Sequence, residues 1–120
     1  MTPRLSITEH ESGKVTVLTL TGQILLDDGD LLLRSHVHDL VERNRVNLVL
    51  DLGGVTYIDS AGIGMIAAKL KTTRERGGDM KLLNLNNRGL RLFGIAKLLL
   101  IFETFESEEM AVKSFGFNAR

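Results

Sequence analysis

Alternation of polar and apolar residues near the start of the chain predicts two strands joined by a tight turn. Residues 15–21 read Val-Thr-Val-Leu-Thr-Leu-Thr, the period expected of a strand with one buried face. Residues 5–9 form the preceding strand, with Ser12-Gly13 as the turn between the two. We expect Gly22 to follow the second strand and an acidic loop to come next.

Two longer segments carry apolar residues at helical spacing. Asp30 suits the N-cap of a first helix that runs to about residue 44. A second helix is predicted from Ser60 to about residue 76, where basic side chains favour its C-terminal end and Gly77-Gly78 stops it. The predicted apolar faces consist of Leu33, Val37, Leu40 and Val41 on the first helix, and of Ile63, Ile66, Ala67 and Leu70 on the second.

Strands and short helices alternate through the rest of the chain. Residues 47–51 predict a buried strand that Gly53-Gly54 interrupts, and residues 80–84 predict the next strand. The remaining predicted elements are a helix over about 88–97 that buries Leu90, Leu92 and Phe93, a strand over 101–105, and a last helix that Ser107 caps and that runs to about 115. This order implies an α/β sandwich with a mixed sheet of about five strands and about four helices packed against it.

Composition fits one globular domain of 120 residues, with 43% hydrophobic and 25% charged residues. The absence of cysteine excludes a disulfide framework and a thiolate metal site. No apolar run approaches the length of a membrane span and no secretory leader is visible, so we expect a cytoplasmic protein without a membrane partner. The net charge of +0 argues against direct nucleic-acid binding. The charge is uneven, since residues 1–60 hold 5 basic and 9 acidic side chains and residues 61–100 hold 8 and 2.

Residues 51–66 carry the most chemical information, and a dinucleotide fingerprint is one interpretation of them. Gly62-Ile-Gly64-Met-Ile-Ala67 matches its glycine pattern, and Asp79 lies close to the expected acidic position. However, the fingerprint needs its first glycine directly at the end of the strand. Here both glycines fall inside the predicted helix, which argues against a nucleotide cofactor.

A nucleophile elbow is a second interpretation of the same residues. Ile58-Asp-Ser-Ala-Gly62 lacks the first glycine of that motif, and the base would have to be His10, His36 or His38. The last two are two positions apart on a helix and face different sides, so they also make a poor metal pair. Histidines at or near the surface are the simpler interpretation, and we expect no catalytic residue and no metal.

A third interpretation is structural, with Asp59 or Ser60 as an ordinary helix cap. It leaves Gly62 and Gly64 unexplained, because each costs roughly 1 kcal/mol relative to alanine inside a helix. The fourth interpretation is a phosphoacceptor: Ser60 stands at a helix N-terminus, and the glycines let a partner approach bare backbone. A phosphate there would add about −1.5 to −2 charge beside Asp59.

At this segment the sequence resembles a family. The motif Tyr57-Ile-Asp-Ser-Ala-Gly-Ile-Gly64 follows the strand Asn47-Leu-Val-Leu-Asp51, and Gly77-Gly78 with Lys81-Leu-Leu-Asn84 comes later. Together these resemble a STAS domain of the bacterial anti-sigma factor antagonists, also called anti-anti-sigma factors. The resemblance covers about residues 5–115 of a single domain, 1–120, and implies a STAS-type sandwich.

The resemblance implies a protein that is not an enzyme and needs no cofactor. Such an antagonist binds an anti-sigma factor with serine kinase activity and so frees a sigma factor. The kinase phosphorylates the serine that corresponds to Ser60, and a serine phosphatase reverses this. Asp59, Gly62 and Gly64 match motif positions in the partner-facing first turn.

The chain departs from the family pattern in two places. Leu25 stands where the family often has an acidic residue, so Asp27 is taken as the candidate partner contact. The run Lys97-Leu-Leu-Leu-Ile101 replaces a Gly-Leu-Asp-type turn, and it is either core or an apolar contact surface. Two alternative functions keep the STAS scaffold: a subunit of a larger signalling assembly, or an accessory subunit of a transporter.

Overall fold

The computed structural model describes residues 4–26, 29–95 and 97–116, and its elements follow the α/β order expected from the sequence. In chain order they are β1 Leu5–Ser12, β2 Val15–Ile24, α1 Gly29–Glu42, β3 Asn47–Ile58, α2 Ser60–Glu75, β4 Asp79–Leu83, α3 Asn87–Ile95, a 3₁₀ turn at Leu98–Leu100, β5 Thr104–Phe105 and α4 Glu108–Lys113.

The strands form one mixed sheet in the order β1-β2-β3-β4-β5. β1 pairs with β2 in antiparallel orientation, and the three remaining pairs are parallel. Because β2, β3 and β4 end at the same edge of the sheet, the helices that follow them begin there too. This edge therefore gathers the N-termini of α1, α2 and α3.

The helices cover both faces of the sheet. α1, α2 and α3 pack on one face over the larger apolar core, and α4 packs on the other over a smaller one. Successive side chains of β3 point alternately into the two cores. Leu48 and Leu50 lie in the larger core and Val49 lies in the smaller one, and all three are fully buried. The predicted apolar face of α1 is buried throughout; on α2 the predicted face is buried except for Ala67, which is half-buried.

Two strands are longer than predicted because their glycines lie within them. β3 does not stop at Gly53-Gly54 but continues to Ile58, and β2 passes through Gly22 to Ile24. The β2–β3 pairing has register irregularities between Thr19 and Thr21 and again after Gly22. A Cβ on Gly54 would lie 3.0 Å from the Leu20 carbonyl oxygen, so glycine permits the close approach that a bulge requires.

Several smaller expectations are corrected. α1 begins at Gly29, so Asp30 lies inside the helix rather than at its cap. The last strand, predicted over 101–105, is only Thr104–Phe105, because residues 101–103 continue the turn that begins with the 3₁₀ segment Leu98–Leu100. The core interpretation of the Leu98–Ile101 run is wrong at its end, since Leu100 is 87% exposed and Ile101 is 43% exposed.

Lys81 of β4 is buried in the smaller core, which the sequence did not reveal. Its side chain is 4% exposed, and its Nζ lies 2.9 Å from a carboxylate oxygen of Glu103. The same ammonium donates to the Ser114 hydroxyl at 2.8 Å and to the Ser114 carbonyl at 3.0 Å. It also lies 4.4 Å from the centre of the Phe115 ring. Lys81 therefore fastens the segment after α4 to the sheet.

Candidate functional site

Asp59 joins the end of the sheet to the start of α2. Its backbone is extended, and its Oδ1 accepts a hydrogen bond from the Gly62 N–H at 2.9 Å, as an N-cap does. Its Oδ2 accepts from the Leu26 N–H at 3.1 Å, and its own N–H donates to the Ile24 carbonyl at 3.2 Å. One carboxylate thus holds the end of β2 and the N-terminus of α2 in a fixed relation.

Ser60 is the first residue of α2 and is exposed. It opens onto a shallow groove between the end of β3 and α3, which we call the Ser60 groove. The groove is lined by Tyr57, Ile58, Asp59, Ser60, Arg91 and Leu92. The hydroxyl therefore lies at a helix N-terminus, where N–H groups without helical partners and the helix dipole favour negative charge.

The two glycines of the first turns have different surroundings. Gly62 is buried, and a Cβ there would lie 2.9 Å from both the Ile24 carbonyl oxygen and Ile24 Cγ2. Its lack of a side chain is thus required by packing inside the protein. Gly64 is exposed, and a Cβ there would meet nothing within 4 Å. The fold gives no reason for glycine at position 64.

Apolar side chains surround this end of the molecule. Leu26 is 59% exposed in the connection after β2, and Tyr57 is 43% exposed at the end of β3. Leu31 and Leu32, on the first turns of α1, are also exposed. Their exposure follows from the predicted buried face of α1, which uses Leu33 and leaves its two predecessors on other sides. Such clustered apolar exposure is typical of a contact surface for another protein.

The structure brings Asp59, Ser60, Gly62 and Gly64 together at one helix start, as the motif predicts. Asp27, the remaining candidate for partner contact, lies outside the described residues. Sequence reasoning missed Arg91, which lines the Ser60 groove. The sequence indicated only that Arg91 points away from the core, because it falls between predicted core residues of a helix, and did not indicate that it faces Ser60.

The geometry gives no support to the two enzymatic interpretations of residues 51–66. His36 pairs with Glu9, and His10 pairs with Glu108 at 2.8 Å. Neither of them lines the Ser60 groove, and His38, the third candidate, does not line it either. Asp79 begins β4 and pairs with Arg74, at the end of the sheet opposite to the glycines.

Within the described ranges, no three His, Asp or Glu side chains are grouped so that they could hold a metal ion. No helix within those ranges is long and apolar enough to span a membrane.

Residues 6–111 match the family model of the STAS domain, so this chain belongs to the STAS domain family. The anti-sigma-B factor antagonist of Bacillus subtilis strain 168 is 35% identical over 81 residues, which cover 68% of this chain and 73% of that protein. The anti-sigma F factor antagonist of Paenibacillus polymyxa is 27% identical over 105 residues, or 87% of this chain and 88% of that one. Within the family the chain is an anti-sigma factor antagonist, a regulator rather than an enzyme.

Solved structures show the same fold. The anti-sigma factor antagonist SpoIIAA in its unphosphorylated form aligns with a TM-score of 0.79 at 15% identity, over 91% of this chain and 95% of that one. The phosphorylated form of the Bacillus protein aligns with a TM-score of 0.73 at 16% identity, over 91% and 98%. The STAS-type sandwich expected from the sequence is confirmed.

Proposed function

We propose that this protein binds an anti-sigma factor that is also a serine kinase, and that phosphorylation of Ser60 ends the binding. Release of the sigma factor follows binding, and a serine phosphatase restores the active form. The observation that carries the proposal is the exposed Ser60 hydroxyl at the start of α2, one turn before the bare backbone of Gly64. The relatives' names and the existence of a phosphorylated form of SpoIIAA support it.

Gly64 supports a partner that approaches α2 closely. A glycine inside a helix costs roughly 1 kcal/mol relative to alanine, and nothing in this chain occupies the space that a Cβ would take. The exposed Leu26 and Tyr57 supply apolar area on the same edge of the sheet. Asp59 contributes by holding the start of α2, and Asp27 remains a proposed contact from the preceding loop.

Phosphorylation suits this position chemically. The N-terminus of α2 tolerates an anion, so the modified protein keeps its fold. The phosphate adds about −1.5 to −2 charge next to the Asp59 carboxylate, on a surface that the partner must desolvate. The partner therefore rejects the modified surface through like-charge repulsion and lost desolvation energy. We place this cycle in the cytoplasm and assign it to one STAS domain, 1–120, with its core at about 5–115.

The test uses the anti-sigma factor kinase of the same organism, purified and incubated with this protein and ATP. Mass spectrometry is expected to map one phosphate to Ser60, and Ser60→Ala is expected to stay unmodified while still binding. Ser60→Asp is expected to weaken binding in calorimetry by at least about tenfold. A protein that acquires no phosphate at Ser60, and whose Ser60→Asp variant binds normally, contradicts the proposal.

Gly64→Ala separates partner contact from folding. It should raise stability while weakening binding, because the new methyl group points into the proposed interface. Lys71→Ala is the matched control, since Lys71 is exposed on the same helix two turns further on. Equal affinities for Gly64→Ala and the control would show that the partner does not approach this backbone.

A further inference from the structure

Arg91 lines the Ser60 groove from a helix whose backbone is held to the sheet. Its helix, α3, is tied to β3 because Asn86 Nδ2 donates to the Val55 carbonyl at 3.3 Å, while Asn86 Oδ1 accepts from the Gly89 N–H at 2.8 Å. Phe93 is fully buried and anchors the same helix. Since Asp59 fixes the start of α2 to the same sheet, both walls of the groove are held to one frame.

The guanidinium of Arg91 has no carboxylate or carbonyl partner among the described residues, and its side chain is exposed. Asp59, the acidic residue in the groove wall, already accepts one backbone N–H with each carboxylate oxygen. The groove therefore presents an arginine with available donors among the same lining residues as Ser60. Five donors in a planar fork match the oxygens of a phosphate, and such pairs are commonly bidentate.

We propose that Arg91 is the internal partner of a phosphate on Ser60. This rests on the phosphorylation proposed above, in which the Ser60 oxygen bonds to the γ-phosphorus of ATP, the bond to the ADP oxygen breaks, and the hydroxyl proton leaves to solvent. The guanidinium then donates to two phosphate oxygens across the groove. The arginine and the phosphate together cover Tyr57 and Leu92, so the modified protein closes its own contact surface as well as charging it.

The pKa of the phosphate measures this contact. A phosphoserine has a second pKa of about 6. Asp59 in the groove wall raises the phosphate pKa and Arg91 lowers it. Asp59 is present in both the unaltered protein and an Arg91 variant, so the difference between them reports Arg91 alone.

The experiment places phosphoserine at position 60 during synthesis and follows its ³¹P resonance through a pH titration. Arg91→Gln should raise the phosphate pKa by at least about 0.5, and Arg91→Lys, which keeps the charge without the fork, by less. Lys71→Gln is the matched control: it removes one exposed positive charge about 16 Å further along α2 and should leave the pKa unchanged. In the unaltered protein, the Arg91 Nε–H resonance should shift on phosphorylation.

An equal phosphate pKa in the unaltered protein and in Arg91→Gln overturns the proposal, as does an Arg91 Nε–H resonance that phosphorylation does not move. The resonance needs no substitution, so the test remains valid even if a variant folds poorly. No kinase takes part, so the outcome is separate from the proposed function. A kinase that does not phosphorylate Ser60 would contradict the proposed function, whereas these titrations test only the contact between Arg91 and the phosphate.

Discussion

Asp59→Ala removes two hydrogen bonds that meet at one carboxylate. Oδ1 caps α2 through the Gly62 N–H, and Oδ2 accepts from the Leu26 N–H in the connection after β2. Alanine can accept neither bond, and it leaves both N–H groups to water where they are accessible. The substitution therefore acts at the junction that presents Ser60.

The magnitude follows from the two bonds. Loss of an aspartate N-cap costs about 1 kcal/mol, and loss of a second, partly exposed hydrogen bond costs a similar amount. We expect Asp59→Ala to lower the free energy of unfolding by about 2 kcal/mol. Asp59→Asn should cost about half as much, because the amide has a single oxygen and can serve only one of the two N–H groups.

Urea unfolding measures this loss, and a fall of about 1 M in the midpoint is expected for a domain of this size. Amide hydrogen exchange should accelerate at Gly62 and Leu26 in particular. Asp39→Ala is the matched control, since Asp39 is an exposed helical aspartate for which the structure shows no side-chain partner among the described residues. If Asp59→Ala is as stable as this control, the carboxylate does not hold the junction and the reasoning is refuted.

Three further predictions follow from the packing. Gly62→Ala should destabilise the protein by about 1–3 kcal/mol and Gly64→Ala should stabilise it by up to about 1 kcal/mol, since only the Cβ added at position 62 meets neighbouring atoms. If urea unfolding shows that both variants are destabilised, or that both are stabilised, this explanation is wrong. Lys81→Ala should lower the free energy of unfolding by about 2–3 kcal/mol, and Lys81→Met should lower it by less, because methionine keeps an apolar stem in the core and leaves no buried charge. Equal losses for the two variants in urea unfolding would show that the charge of Lys81, rather than its apolar stem, is what stabilises the fold. Leu100→Ser should change the free energy of unfolding by less than about 0.5 kcal/mol, because the side chain is exposed. Light scattering should give the same molar mass for the unaltered protein and for this variant. A lower mass for the variant would show that the unaltered protein assembles through this surface.

The apolar periodicity predicted the helices well, because the spacing of apolar residues along a helix depends only on which face is buried. The face of α1 that uses Leu33 and Val37 is buried as expected, and of the two caps considered for α2, Asp59 or Ser60, the structure has Asp59. Residue order also gave the α/β class, since the element sequence allows few arrangements. The start of α2 as a site was likewise accessible from the spacing of Ser60, Gly62 and Gly64.

The errors occur where tertiary contacts override local preference. Gly53-Gly54 looks like a strand breaker, yet β2 supplies a partner strand close enough to need glycine there. Leu100 looks like core, but its side chain points away from the core against which Leu98 of the same 3₁₀ turn packs. Arg91 was missed because nothing in its local sequence shows that α3 lies across a groove from Ser60.

Lys81 is synthesised well before the residues that enclose it in the folded protein. Its partner Ser114 lies 33 positions later in the chain, which a ribosome needs about 2–7 seconds to add. During that interval β4 presents a hydrated ammonium, rather than a wholly apolar surface, on the face that α4 will cover. A charge on an uncovered sheet opposes association with other chains. The Lys81 ammonium gains its carboxylate partner only when Glu103 has been added, and its two Ser114 acceptors only after that. The fold thus encloses this lysine only after the residues that pair with it have been synthesised.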